Sequence, residues 1–169
     1  MKNRWDILIK LINENKFEVI AEIGVEHCEI GRRVIKECPS VKHYICVDKN
    51  KIAGEEEDAF ILSRQCIFVN AYSHVAARFF SDKCIDLVFI DASHDYDSIK
   101  SDVESWIGKI KSGGIISGHD YCENEETLKE PYGVYRFINE KFKDFNLELD
   151  ERVETVNNYI WWKYIKSHE

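Results

Sequence analysis

Two short clusters, Asp91-Ala92-Ser93-His94-Asp95-Tyr96 and His119-Asp120-Tyr121, gather the groups best suited to move a proton or hold a cation. Carboxylates, imidazoles and phenols at that density suit general acid–base work, binding of a cationic ligand, or metal ligation. Each residue alone also has a plain structural reading. Asp91 or Asp97 can cap a helix, Tyr96 can cover an edge of the core, and His119-Asp120 can fill a surface turn. The whole set at two strand ends points to chemistry.

The clusters owe their positions to residues 85–121, which read as strand, turn, helix, turn, strand. Ile85, Leu87, Val88, Phe89 and Ile90 form a nearly unbroken apolar run, as in a strand buried on both faces of a parallel sheet. It ends on Asp91. Ile99, Val103, Trp106, Ile107 and Ile110 then recur every three or four residues, while Lys100, Asp102, Glu104 and Lys109 lie elsewhere. The spacing predicts a helix stopped by Gly113-Gly114, followed by a strand at Ile115–Gly118. A right-handed crossover between parallel strands brings both clusters to the same sheet edge. That edge, outside the carboxyl ends of the strands, is where open α/β sheets bind ligands.

Upstream, residues 3–13 place Trp5, Leu8, Ile9, Leu11 and Ile12 on one stripe of a leading helix. Phe17–Gly24 is the first strand and turns directly into a helix marked by Ile30, Val34, Ile35 and Cys38. A dinucleotide loop needs G-x-G-x-x-G; here only Gly24 is in place, and Glu26 stands where a pyrophosphate would approach, which favours a ligand without phosphates. His43–Asp48 is the second strand, ending in an acid 24 residues after Gly24. A carboxylate there can accept both hydroxyls of an adenosine ribose. Lys51–Arg64, with Glu55-Glu56-Glu57-Asp58, reads as a helix with a solvated, dipole-favoured first turn. Cys66–Val69 is a third strand; Asn70, Ala71 and Tyr72 follow it as candidates for adenine contact, and Ser73 is the expected cap of the next helix.

Downstream, Tyr121–Tyr132 reads as a polar loop of lid-like length. Gly133 opens a helix carrying Val134, Phe137, Ile138 and Phe142. From Asn146 to Ile165 a closing hairpin turns at Asn157-Asn158, with Trp161 and Trp162 on opposite faces.

The length of 169 residues suits one domain, a leading helix over 1–16 and a sheet core over 17–169. With 31 acidic against 23 basic residues the net charge is −8, and no basic run stands out, so nucleic acid is not the expected partner. The six cysteines form no C-x-x-C pair and follow no signal peptide, so free thiols and a cytoplasmic location are expected. No apolar run is long enough for a membrane span.

The motifs Asp91-Ala92-Ser93-His94-Asp95-Tyr96, Gly113-Gly114 and Gly118-His119-Asp120-Tyr121, in this order of elements, resemble the class I S-adenosylmethionine-dependent methyltransferases. The nearest branch is the small one with D-x-x-H-x-Y and G-G-x-x-x-G-H-D-Y. That resemblance implies a Rossmann-like α/β sandwich: seven strands, mostly parallel, an antiparallel C-terminal hairpin, and helices on both faces. It implies cofactor contacts from Glu22 and Gly24 at the methionine end, Asp48 at the ribose, Asn70, Ala71 and Tyr72 at the adenine, and Asp91 at the methionine amino group or a metal. Cys28 stands where the family usually has a second glycine. Metal-dependent relatives hold a divalent cation, Mg or Mn, at residues similar to Asp91 and Asp120, with Tyr121 in place of their Asn.

The implied reaction is O-methylation of a small-molecule hydroxyl, with His94, His119 and Asp120 as the catalytic group. Substrate specificity would come from the leading helix, residues 121–133, or a second subunit in a homodimer. Two other readings stand beside it: a nicotinamide-dependent oxidoreductase, and a non-catalytic nucleotide-binding module on the same fold.

Overall fold

The computed structural model describes residues 3–25, 27–50, 65–124, 132–151 and 158–167. Glu26, the segment 51–64 and most of the loop 121–132 lie outside these, as does Asn157. The chain opens with α1 (Arg4–Asn15), where Asn3 caps the first turn by accepting from the Asp6 amide. Strand β1 (Val19–Ile23), helix α2 (Glu29–Glu37), strand β2 (His43–Asp48) and strand β3 (Cys66–Asn70) follow. A short α3 (Ser73–Ala76) leads to β4 (Ile85–Ile90), α4 (Tyr96–Trp106), β5 (Ile110–Tyr121), α5 (Val134–Lys141), β6 (Asn146–Leu149) and β7 (Tyr159–Tyr164).

The strands form one sheet in the order β3-β2-β1-β4-β5-β7-β6. The first five pair in parallel; β7 runs antiparallel to both β5 and β6. This is the seven-stranded Rossmann-like arrangement that the resemblance implies, with the closing hairpin where the sequence places it.

Alternation along each strand divides the core. Ala21, Ile23, Val88, Ile90 and Trp161 pack on α3, α4 and α5 on one face. Ile20, Leu87, Phe89 and Ile160 pack on α1 and α2 on the other, where Trp162 also lies. Helices therefore cover both faces, and the unbroken apolar reading of β4 follows from its central place. Every residue of β4 is buried, including Asp86. Its carboxylate accepts from the Glu18 and Val19 amides at 3.0 and 2.8 Å and meets Lys111 Nζ at 2.7 Å.

Three local expectations change. α4 stops at Trp106, and a 3-10 turn over Ile107–Lys109 leads into β5, so Gly113-Gly114 lie inside the strand. Ile85 pairs with Ile110 but Leu87 with Ile115, a bulge that takes up Lys111–Gly114. Tyr72, not Ser73, occupies the cap position of α3. The Ser73 hydroxyl instead accepts from Trp106 Nε1 at 2.9 Å, tying α3 to α4. Finally, Asp102 is buried on α4 rather than lying on an exposed face, with Ser73 hydrogen-bonded to its carboxylate.

Candidate active site

β1 ends on Gly24, whose φ of +86° would strain any other residue; a Cβ there would stand 2.3 Å from the Asp91 carbonyl oxygen. That close approach brings the β1 and β4 ends together. The Gly24 amide donates to the Val47 carbonyl, which adds β2 to the junction. The next turn is tight enough that Cys28, at the start of α2, adopts φ +58°. Glycine would be free of strain there, but Cys28 is fully buried and fills space.

A cavity of about 860 Å³ opens over these strand ends. Glu22, Gly24, Asp48, Ala71, Tyr72, Asp91 and His94 all line it, so it runs from the β3 end to the β4–α4 loop. Asp48 is held by two backbone amides, Val25 at 3.1 Å and Asn50 at 2.8 Å. Asn70 is not part of the lining; its side-chain amide donates to the carbonyls of Asp48 and Lys49, both at 3.1 Å, and braces that loop. Glu22 is buried and accepts from the Tyr44 hydroxyl at 2.7 Å. Burial pushes its carboxyl well above the usual range, against the opposing Tyr44 bond.

His94 lies on the loop between β4 and α4, stacked on Tyr132 at 4.1 Å between ring centroids. The Gly133 amide donates to its carbonyl at 2.9 Å, and Asp95 caps α4 by accepting from the Ser98 amide at 3.0 Å. Loop and α5 are thus bolted together beside the cavity.

His119 and Asp120 sit elsewhere. They belong to β5 itself and are not among the cavity lining. Gly118 before them is required because the Trp161 ring crosses β5 there; a Cβ would lie 2.7 Å from it. The β5–β7 register breaks between Gly118 and Tyr121, and Asp120 takes φ +60°. His119 is buried among three carboxylates. Nδ1 lies 3.1 Å from Asp120 and 3.7 Å from Asp91, and Nε2 lies 3.3 Å from Asp150. Burial lowers its pKa, but Asp120 and Asp150, with Asp91 behind them, outweigh this and raise it to about 9. The three carboxylates around it favour the charged imidazolium. Asp120 is pulled below its usual value: burial raises it, and His119 and Asn158 more than compensate. Asp91 is raised by burial, against the pull of His119 and Arg4.

Oxygens of Asp91 and Asp120 and a His119 nitrogen come within 4.8 Å of one another, near enough to share a cation. The same groups already face positive charge, His119 itself and Arg4, whose Nη1 lies 2.9 Å from Asp91 Oδ2. Tyr121 is turned to the core, its hydroxyl accepting from Asn139 of α5 at 3.0 Å. Hydrogen bonding to Cys28 and burial drive the Cys46 thiol far up, and burial raises Cys38 to about 11. None of the six cysteines is in a disulfide.

Arg4, Asp150 and Asn158 complete the arrangement without having been singled out from sequence. A signal existed for Arg4, since a cation in the first turn of a helix opposes the helix dipole and needs a partner elsewhere. Asp150 follows the alternating Leu147-Glu148-Leu149 as one acid among several, beside Glu151, and nothing in one sequence pairs it with β5.

Comparison with known proteins places this geometry. Residues 21–121 match a family model described as methyltransferase domain. A curated relative, uncharacterized protein y4gI of Sinorhizobium fredii, is 30% identical over 56 residues; the match covers 33% of this chain and only 6% of that protein's length. An O-methyltransferase from Bacillus cereus, solved in complex with SAH, superposes with TM-score 0.74 at 16% identity, over 96% of this chain and 80% of that one. An rRNA methylase from Streptococcus thermophilus gives TM-score 0.72 at 8% identity, over 98% of this chain and 99% of that one. At such identities the likeness is one of fold.

Proposed function

Because the chain belongs to the methyltransferase-domain family, we propose that it carries the methyl group of S-adenosylmethionine to a hydroxyl of a small-molecule acceptor. The observation that carries this reading is the single cavity joining Asp48 at the β2 end to Asp91 and His94 at the β4 end. Ribose hydroxyls donate to Asp48; Ala71 and Tyr72 flank the adenine; Glu22, Gly24 and Asp91 surround the methionine arm. Asn70 acts indirectly, through the loop it braces.

In the transfer the acceptor oxygen attacks the methyl carbon in line with its bond to sulfur. The O–C bond forms, the S–C bond breaks with its electron pair left on sulfur, and the hydroxyl proton passes to a base. His94 is that base, since it faces the cavity. His119 lies outside the cavity lining, enclosed by carboxylates that favour its charged form, so its part is to set, with Asp120, the electrostatics behind Asp91. A resident divalent ion at that cluster would have to displace the Arg4 guanidinium, 2.9 Å from Asp91, so we assign it no metal. The acid-rich cavity, with Asp95, Asp97 and Asp102 on its α4 side, supports a small acceptor over a polyanionic nucleic acid.

Titration calorimetry with S-adenosylmethionine, S-adenosylhomocysteine and NAD tests the reading. Micromolar binding of the first two without NAD supports it; NAD binding alone turns it to the oxidoreductase, and methyl-donor binding with no transfer to any hydroxylated acceptor turns it to the non-catalytic module.

A further inference from the structure

Arg4 is the first residue of α1, and its side chain reaches the cavity beside Glu22, Gly24 and Asp91. The position is fixed. Ile7, Leu8, Leu11 and Ile12 bury one stripe of α1, and the guanidinium of Arg33 on α2 lies 5.0 Å over the Trp5 ring and 3.7 Å from Asp6. Arg4 pairs with Asp91 through Nη1 at 2.9 Å, and its buried Nε has no hydrogen-bond partner, so the ion pair does not exhaust a guanidinium of five donors that lines the cavity. Lys49 also lines the cavity but follows Asp48, at the ribose end. At the methionine end, Arg4 is the cation, with Asp91 paired to it and the Glu22 carboxyl tied to Tyr44.

We propose that Arg4 is a cofactor-binding residue, its guanidinium taking the α-carboxylate of the methionine arm while Asp91 takes the neighbouring ammonium. This rests on S-adenosylmethionine being the cofactor. An α-amino acid presents the two opposite charges on one carbon, and the Arg4–Asp91 pair presents the complementary two. Arg4 makes the site selective for a cofactor that keeps its carboxylate. A decarboxylated analogue would set its bare ammonium against Asp91 with Arg4 left unmatched and repelling it.

The test compares S-adenosylhomocysteine with its decarboxylated counterpart, S-adenosyl-3-thiopropylamine, by calorimetry on the full chain. Wild type binds the carboxylate-bearing compound about 10- to 100-fold more tightly, the range expected for a charge-assisted hydrogen bond. Arg4→Gln abolishes most of that preference, weakening the first ligand and binding the second as well as wild type or better, and Arg4→Lys retains part of it. Equal affinity for the two compounds in wild type overturns the proposal without any variant. So does an Arg4→Gln protein that binds both more weakly by the same factor, which would mark Arg4 as a prop for α1. If wild type binds neither compound, the methyltransferase reading itself fails, and this inference with it.

Discussion

Asp48 and His94 are the two residues whose surroundings most sharply constrain what they can do. Asp48 accepts amides from Val25 and Asn50, so its carboxylate is held at the β2 end at no cost to a ligand. Asp48→Ala should weaken S-adenosylhomocysteine by about 1.5–3 kcal/mol, the value of a charged acceptor, and calorimetry checks it. Unchanged affinity would remove the ribose from Asp48. His94 is bound to the protein through its backbone and one ring face, so its loss should spare the fold. His94→Ala should lower turnover by about 10²–10⁴-fold with melting temperature and cofactor affinity preserved. Chelation should leave wild-type turnover intact; loss of activity with recovery on adding Mg or Mn would restore the metal reading of Asp91 and Asp120. At this scale the sequence shows residue types and order but not enclosure. Asp91, His94 and His119 look equivalent in a string, and only the bulge at His119-Asp120 separates a cavity wall from a buried charge.

Among the elements, β4 carries the site, and Asp86 secures its start. The carboxylate joins β1 through the Glu18 and Val19 amides and β5 through Lys111. Asp86→Ala leaves those partners unmatched and should destabilise the protein by about 1–3 kcal/mol in urea unfolding, with cofactor affinity of the folded protein unchanged. A smaller loss would mean that water replaces the carboxylate. The bounds of β2 and β4 are legible because strands buried on both faces must be apolar throughout. The end of α4 is not legible. Ile107 and Ile110 continue the helical stripe, although Ile107 already begins a 3-10 turn and Ile110 begins β5. Ser73 looks like a cap because serine favours caps; a buried Trp106 indole needing an acceptor claims its hydroxyl instead.

For the molecule as a whole, the sheet order and closing hairpin follow from the chain's alternating elements and its aromatic last strand, but the link between that hairpin and the site is a matter of burial. His119 on β5 faces Asp150, which follows β6, and Asn158 before β7 donates to Asp120 at 2.9 Å. Folding therefore encloses His119 among carboxylates that favour its charged form, and stability should depend on pH. The pKa of His119 rises from its usual 6.5 to about 9 in the folded protein. The stabilisation is complete below about pH 6.5 and is lost as pH rises through about 9, on the order of 3 kcal/mol in all. Glu22 and Asp91 are also raised, so they too favour the fold less as pH rises. Asp120 is lowered and acts at the acid end, where its contribution is lost as pH falls through its folded value. Unfolding free energy measured in urea from pH 6.5 to 10 should fall with a slope that His119→Gln largely removes, the variant being less stable than wild type at pH 6.5 and close to it at pH 10. Equal slopes in the two proteins would mean that His119 is neutral in the folded state, with a lone pair left to act as a base.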